Sequence, residues 1–226
     1  MQRSETSGRP SALTPPRALW VGFILGLLIV GAIGLRVWSR SSGLFGARTG
    51  GSLAIYGTVP PFSLTERSGR PVTQADLERK IWVADFVFTR CGSICPALSA
   101  NMARLQTALR ERGGETATLV SFTVDPAADT PPVLTDYASR FHADPQQWLF
   151  LTGERAALYD LIGEGFHLGV AQREESGVTD PNQLITHSDR FVLVDRALRI
   201  RGYYHGLEAA TVAEILRDID RLRSEQ

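Results

Sequence analysis

The stretch from Ile81 to Gly113 constrains this chain more than any other. Ile81 to Phe88 reads IWVADFVF, apolar everywhere except Asp85, with Arg79-Lys80 before it and Thr89-Arg90-Cys91-Gly92-Ser93-Ile94-Cys95-Pro96 after it. An apolar run of this length without alternation is a strand buried on both faces, which places it in the middle of a sheet. Pro96 then stands where proline is favoured, at the start of a helix. Leu98, Met102, Leu105 and Leu109 recur at helical spacing until Gly113-Gly114 end the segment. A central strand, a cysteine-bearing loop and a helix follow one another without a gap.

The pattern continues downstream. Ala117 to Val124 (ATLVSFTV) predicts a second strand, and Pro131-Pro132 open a helix reaching about Phe141. A right-handed crossover makes these two strands parallel neighbours. Trp148 to Leu151 predicts a third strand and Glu154 to Ile162 a short helix. Phe191 to Val194 and Ile200 to Tyr204, separated by Asp195-Arg196-Ala197-Leu198-Arg199, predict an antiparallel hairpin, and Leu207 to Leu222 an amphipathic closing helix. A β-α-β stretch followed by a hairpin and a helix is the thioredoxin-like arrangement: α/β with a mixed sheet.

That body accounts for residues 55–226 of the 226. With 43% hydrophobic residues the chain is neither disordered nor collagen-like. Lys+Arg and Asp+Glu both number 24, but the first fifty residues hold six Arg and one Glu, which leaves a mildly acidic body. Nucleic acid is therefore not an expected partner.

Ala18 to Leu35 (ALWVGFILGLLIVGAIGL) carries no charge over eighteen residues, close to what a membrane-spanning helix needs. Trp20 and Trp38 stand near its ends, and Arg17 and Arg36 bracket it as interfacial anchors. The run exceeds a cleaved signal's apolar region, so an uncleaved single-pass anchor over 18–38 is expected, after a tail over 1–17. Three arginines on each side leave its orientation tied. Residues 39–54, small, polar and glycine-rich, predict a flexible tether.

Two cysteines are too few for a disulfide scaffold or a four-thiolate metal site, so Cys91 and Cys95 act as a pair. C-x-x-x-C within a helical turn sets the Cα atoms about 6 Å apart, within disulfide range. Such a pair closes a disulfide or pinches one metal ion. At a helix N-terminus the dipole lowers a thiol's pKa, Cys95's especially, and Arg90 adds a nearby positive charge. The bland alternative, two inert core cysteines, sits poorly with Gly92, Ser93 and Pro96 around them.

Two thiolates underfill a metal's shell. Of His142, His167, His187 and His205, His187 (Ile185-Thr186-His187-Ser188) precedes the hairpin strand, in the loop that faces the cysteine helix in a thioredoxin-like fold. His205 falls after a strand, in a turn. Two thiolates and an imidazole favour copper, Cu(I) for its softness or Cu(II) for its affinity, whereas zinc would want a fourth protein ligand.

These residues resemble the Sco/SenC family of copper-binding proteins, which assist assembly of the copper site of cytochrome c oxidase. Phe88 to Pro96 (FTRCGSICP) is similar to that family's C-x-x-x-C-P loop, Val124 to Pro131 (VDPAADTP) to its acidic segment, and Ile185 to Ser188 (ITHS) to its histidine loop. The similarity spans roughly residues 55–222. It implies Cys91, Cys95 and His187 as copper ligands, with Asp125 and Asp129 as secondary candidates, whose alternative role is turn and helix-entry chemistry. Gly92-Ser93-Ile94 departs from the more usual Pro-Asp-Ile or Pro-Asp-Val. Between Gly165 and Gln183 a polar stretch with Glu174, Glu175 and Asp180 reads as an exposed insertion, either docking a partner or simply solvated.

The resemblance implies a membrane-tethered metallochaperone rather than an enzyme. Its partners would be a copper donor, a thiol reductant, and the copper-site subunit of cytochrome c oxidase or another acceptor. The rival is a thiol-disulfide reductase keeping the acceptor's cysteines reduced, and peroxide reduction or redox sensing is a weaker third. Both main roles need a copper-accessible or oxidising compartment, so the body is expected in the periplasm, tethered to a bacterial-type inner membrane.

Overall fold

The computed structural model describes residues 52–113, 117–168 and 189–225. By its contacts the chain divides into two compact units, Met1–Gly51 and Ser52–Gln226. The expected anchor, His187 and residues 169–183 of the expected insertion lie outside the described residues. Among the described residues no helix is long and apolar enough to cross a membrane.

Among the described residues eight strands form one mixed sheet: β1 (Gly57–Thr58), β2 (Ser63–Glu66), β3 (Pro71–Thr73), β4 (Trp82–Val87), β5 (Thr118–Thr123), β6 (Trp148–Thr152), β7 (Arg190–Val194) and β8 (Arg199–His205). Their spatial order is β1-β8-β7-β4-β5-β6-β2-β3. The expected parallel pairing holds for β4 with β5, Phe86 facing Phe122, and extends to β5 with β6. Every other pairing among the described residues is antiparallel. All six residues of β4 are buried, which is why its sequence shows no alternation.

Period 2 still sorts those side chains between two layers. Trp82 and Phe86 share one face, where Phe86 stacks on Phe122 at 5.8 Å between centroids and Phe166 meets Trp82, Phe86 and Phe122 at 6.0, 5.2 and 5.4 Å. On the opposite face Asp85 takes a hydrogen bond from Ser121, whose oxygen in turn accepts one from Trp148 Nε1.

Helix α1 (Cys95–Arg112) follows β4, α2 (Pro131–Arg140) follows β5, and α3 (Arg155–Asp160) follows β6. The segment after α3 continues as a wide π-type turn, Leu161–Gly165, which delivers Phe166 to the aromatic cluster. The last helix, α4 (Thr211–Ser224), starts four residues later than the expected Leu207. Strand β8 runs on to His205, whose carbonyl accepts bonds from Glu208 N and the Thr211 hydroxyl, so residues 207–210 form the turn between them.

The hairpin β2–β3 went unread from sequence because four- and three-residue strands carry almost no periodic signal. Its turn closes through Glu66 N to Arg70 O at 2.8 Å, with Gly69 in the left-handed region at φ 85°. Ser52, Leu53 and Ala54, at the end of the expected tether, are held by the folded unit. Buried Arg201 donates to Ser52 Oγ, Leu53 O, Ala54 O, Asp195 and Glu225.

Gly206, between β8 and α4, locks that end of the sheet onto α1. Its carbonyl accepts from Asn101 Nδ2 at 2.6 Å, and its N–H donates to Asp189 O at 2.6 Å. A Cβ here would lie 2.5 Å from Leu98 Cδ2, 2.8 Å from Phe191 Cε1 and 2.9 Å from Asp189 O. Gly206→Ala is therefore expected to cost about 1–3 kcal/mol, the range of an overpacked core site. An unchanged urea midpoint would show that the neighbours yield freely.

Candidate metal and redox centre

Strand β4 ends at Val87, and the chain turns through Phe88 to Cys91 before α1 begins at Cys95. Cys91 N–H closes that turn on Phe88 O at 3.2 Å. Both cysteines are reduced and buried, Cys91 at 6% and Cys95 at 2% exposure. The Cys95 N–H, one of the helix-terminal donors that α1 leaves unpaired, points at Cys91 Sγ at 3.5 Å, and Ser93 Oγ lies 3.5 Å from the same sulfur.

This reverses the expected ranking of the thiols. Burial pushes Cys91 up, but bonds from the Ser93 hydroxyl, the Cys95 thiol and the Cys95 and Ser93 backbone outweigh it and leave its pKa lowered. For Cys95 burial comes first, the bond to Cys91 adds to it, and the charges of Cys91 and Asp85 push further the same way, so its pKa is raised well above the ordinary thiol value. A helix N-terminus favours the group its N–H bonds reach. Here that group is the preceding cysteine.

The Arg90 guanidinium, at 60% side-chain exposure, pairs with Asp125. Asp129 is fully buried and accepts from Thr89 N, from Thr89 Oγ1 at 2.6 Å and from the Thr123 hydroxyl. Burial raises its pKa against the pull of those bonds. The two acids thus grip the residues just before Cys91 rather than present carboxylates to solvent. Neither caps α2, whose N-cap is Thr130.

Three of the four histidines are described. His142 follows α2, its carbonyl taking a bond from Gln106. His167 lies against Gly57, and His205 Nδ1 meets Asp189 Oδ2 at 2.9 Å. Among the described residues no three His, Cys, Asp or Glu side chains gather to hold a metal. His187 lies outside them, two positions before Asp189.

Sequence reasoning missed Ser93, Thr89 and Thr123, whose hydroxyls organise the site, and the Ser99–Tyr137 pair at 2.9 Å, one turn along α1 from Cys95. Isolated hydroxyls carry no pattern that separates them from surface serines and threonines. Asp85 was visible as the single break in an apolar strand.

The SCO1/SenC family model matches residues 54–224. The chain belongs to the SCO1/SenC family. Its relatives include the SCO1 protein homolog of Bacillus subtilis (strain 168), 28% identical over 161 residues, or 71% of this chain and 80% of that one. Among solved structures the fold resembles BsSco, described as a member of the Sco family of cytochrome c oxidase assembly proteins with an identified disulfide switch. That match has a TM-score of 0.67 and 26% identity, covering 78% of this chain and all of BsSco. It also resembles yeast Sco1 with copper bound, at TM-score 0.60 and 25% identity, covering 75% of this chain and 95% of the other. The SCO1/SenC match runs through β4, the cysteine turn and α1, and the sheet has the mixed, thioredoxin-like arrangement read from sequence.

Proposed function

We propose that this protein is a copper metallochaperone whose cargo is held by Cys91, Cys95 and His187 and passed to the copper site of cytochrome c oxidase or a comparable acceptor. The observation that carries it is the pair of reduced thiols converging where β4 enters α1, two soft donors on one turn of backbone. Neutral His187 would complete a three-ligand set. Copper-bound yeast Sco1 and the assembly role described for BsSco support the reading. An oxidised pair cannot bind copper as thiolates, so a thiol reductant must act before a copper donor.

The same reading places residues 18–38 across a bacterial-type inner membrane and the folded unit in the periplasm, where copper and oxidants are accessible. A C-terminal reporter active in the cytoplasm would overturn that topology.

The asymmetry of the thiols favours a second activity, thiol-disulfide reduction of the acceptor. The Cys91 thiolate attacks an acceptor disulfide and releases one acceptor thiolate. Cys95 then loses its proton and attacks Cys91 Sγ, which frees the second acceptor sulfur as thiolate and leaves Cys91–Cys95 oxidised.

Copper titration of the reduced, detergent-solubilised chain tests the main reading. It should bind one copper per chain, with thiolate-to-Cu(II) absorption. His187→Ala should weaken Cu(II) by about 100-fold, some 3 kcal/mol, and leave disulfide reduction intact. Unchanged Cu(II) affinity in that variant would remove His187 from the site.

A further inference from the structure

The loop from β5 to α2 holds the cysteine turn from the side. Asp129 is fully buried, and its two oxygens take the Thr89 N–H at 3.2 and 3.3 Å, the Thr89 hydroxyl at 2.6 Å and the Thr123 hydroxyl. Thr123 Oγ1 in turn accepts the Asp125 N–H at 3.0 Å, and Asp129 N–H reaches Asp125 O at 2.9 Å. The clasp is thus closed within the end of β5 and its loop, and reaches the cysteine turn at Thr89 through Asp129 and at Arg90 through Asp125. On the strand side, Val124 N–H on Val87 O at 3.0 Å fixes the end of β4. Thr89 lies between that fixed point and Cys91, whose sulfur is held by the 3.5 Å contact from Cys95 N–H.

We propose that Asp129 is a positioning residue for the cysteine pair: through Thr89 it fixes the turn in the conformation that presents the Cys91 sulfur to the Cys95 N–H, and so favours the dithiol over the disulfide. The inference rests on the reading that Cys91 and Cys95 work as one redox and metal-binding pair. A disulfide requires the two sulfurs to close to about 2.05 Å. Closing it moves the sulfurs from the positions they hold in the dithiol, and a turn clamped at Thr89 resists the share of that movement that falls to Cys91. Asp129→Asn leaves Thr89 one acceptor oxygen in place of two, Thr89→Val removes the hydroxyl half of the clamp, and in both the turn is freer to follow the sulfur. The pair should then be oxidised more readily.

The test is redox equilibration of the copper-free full chain in buffers of reduced and oxidised glutathione. Glutathione disulfide accepts the two electrons and becomes two molecules of glutathione as the Cys91–Cys95 bond forms. Asp129→Asn and Thr89→Val should move the equilibrium about tenfold toward the disulfide, roughly 30 mV for a two-electron couple, while Thr89→Ser, which keeps the hydroxyl, should stay with the parent. A purely structural brace would lower the melting temperature and leave the equilibrium of the folded protein where it was, so both are measured. Folded Asp129→Asn and Thr89→Val with parental equilibria would overturn the proposal. If Asp129→Asn does not fold, the two Thr89 variants decide. Because no copper enters the assay, a protein that fails to bind copper can still pass it, and one that binds copper can still fail it.

Discussion

Cys91→Ser and Cys95→Ser should each reduce copper affinity of the reduced protein by about a thousandfold or more, some 4 kcal/mol, and yet leave proteins of opposite thiol reactivity. Each removes one of the two soft donors that set the preference for copper, and a serine hydroxyl does not replace a thiolate at a soft ion. The remaining sulfurs differ. In Cys95→Ser, Cys91 keeps the amide of residue 95 and the Ser93 hydroxyl as donors, the interactions that lower its pKa against burial. In Cys91→Ser, Cys95 stays at 2% exposure, in a site whose burial raises its pKa. Thiolate is the reacting form. Iodoacetamide at neutral pH, followed by mass spectrometry, should therefore modify Cys91 in the first variant at least about tenfold faster than Cys95 in the second. Equal rates would mean that the helix-terminal amide does not discriminate between the sulfurs, and the proposed order of attack and resolution would go with it.

That assignment also marks where sequence reasoning held and where it failed. The strand-loop-helix order around the cysteines was legible because Trp82 to Val87 is buried at every position and Leu98, Met102, Leu105 and Leu109 line one side of α1. Which sulfur benefits from the helix terminus was not legible. The spacing places both cysteines at the terminus, and only the direction of the Cys95 N–H chooses between them. Asp129 is similar: its acidic character is in the sequence, but its burial depends on Thr123 six residues before it and on Thr89 arriving from the cysteine turn. Strands β2 and β3 were lost for a third reason. Their pairing partners, β6 for β2 and each other, lie far along the chain or across a tight turn, and neither strand is long enough to announce a face.

Asp85 supplies the second large effect, on stability and its dependence on pH. It sits in the middle of β4 with no exposed surface, and one oxygen accepts from Ser121 while the other, Oδ2, has no hydrogen-bond partner among the described residues. Burial raises its pKa from 3.8 to about 7, against the weaker pull of the Ser121 bond. Below 3.8 the carboxyl is neutral in both folded and unfolded chains and costs nothing extra. Between there and about 7 the unfolded chain releases the proton while the fold retains it, so stability falls as pH rises through this window and levels off above it. At about 1.4 kcal/mol per unit the full cost is about 4 kcal/mol as an upper bound. Asp85→Asn keeps an oxygen for Ser121 and cannot ionise. Its amide brings two N–H donors where the neutral acid has one O–H, so the two proteins start from different stabilities and the readout is how their difference changes with pH. From pH 5 to pH 8 the variant should gain about 3 kcal/mol on the parent, the share of the cost that falls above pH 5. Urea unfolding of both proteins from pH 5 to pH 8 isolates this term, since every other titrating group is common to the pair. Parallel curves over that range would show that Asp85 is already ionised within the fold, and that its second oxygen finds a partner, such as water entering from the end of β4 that carries the cysteines.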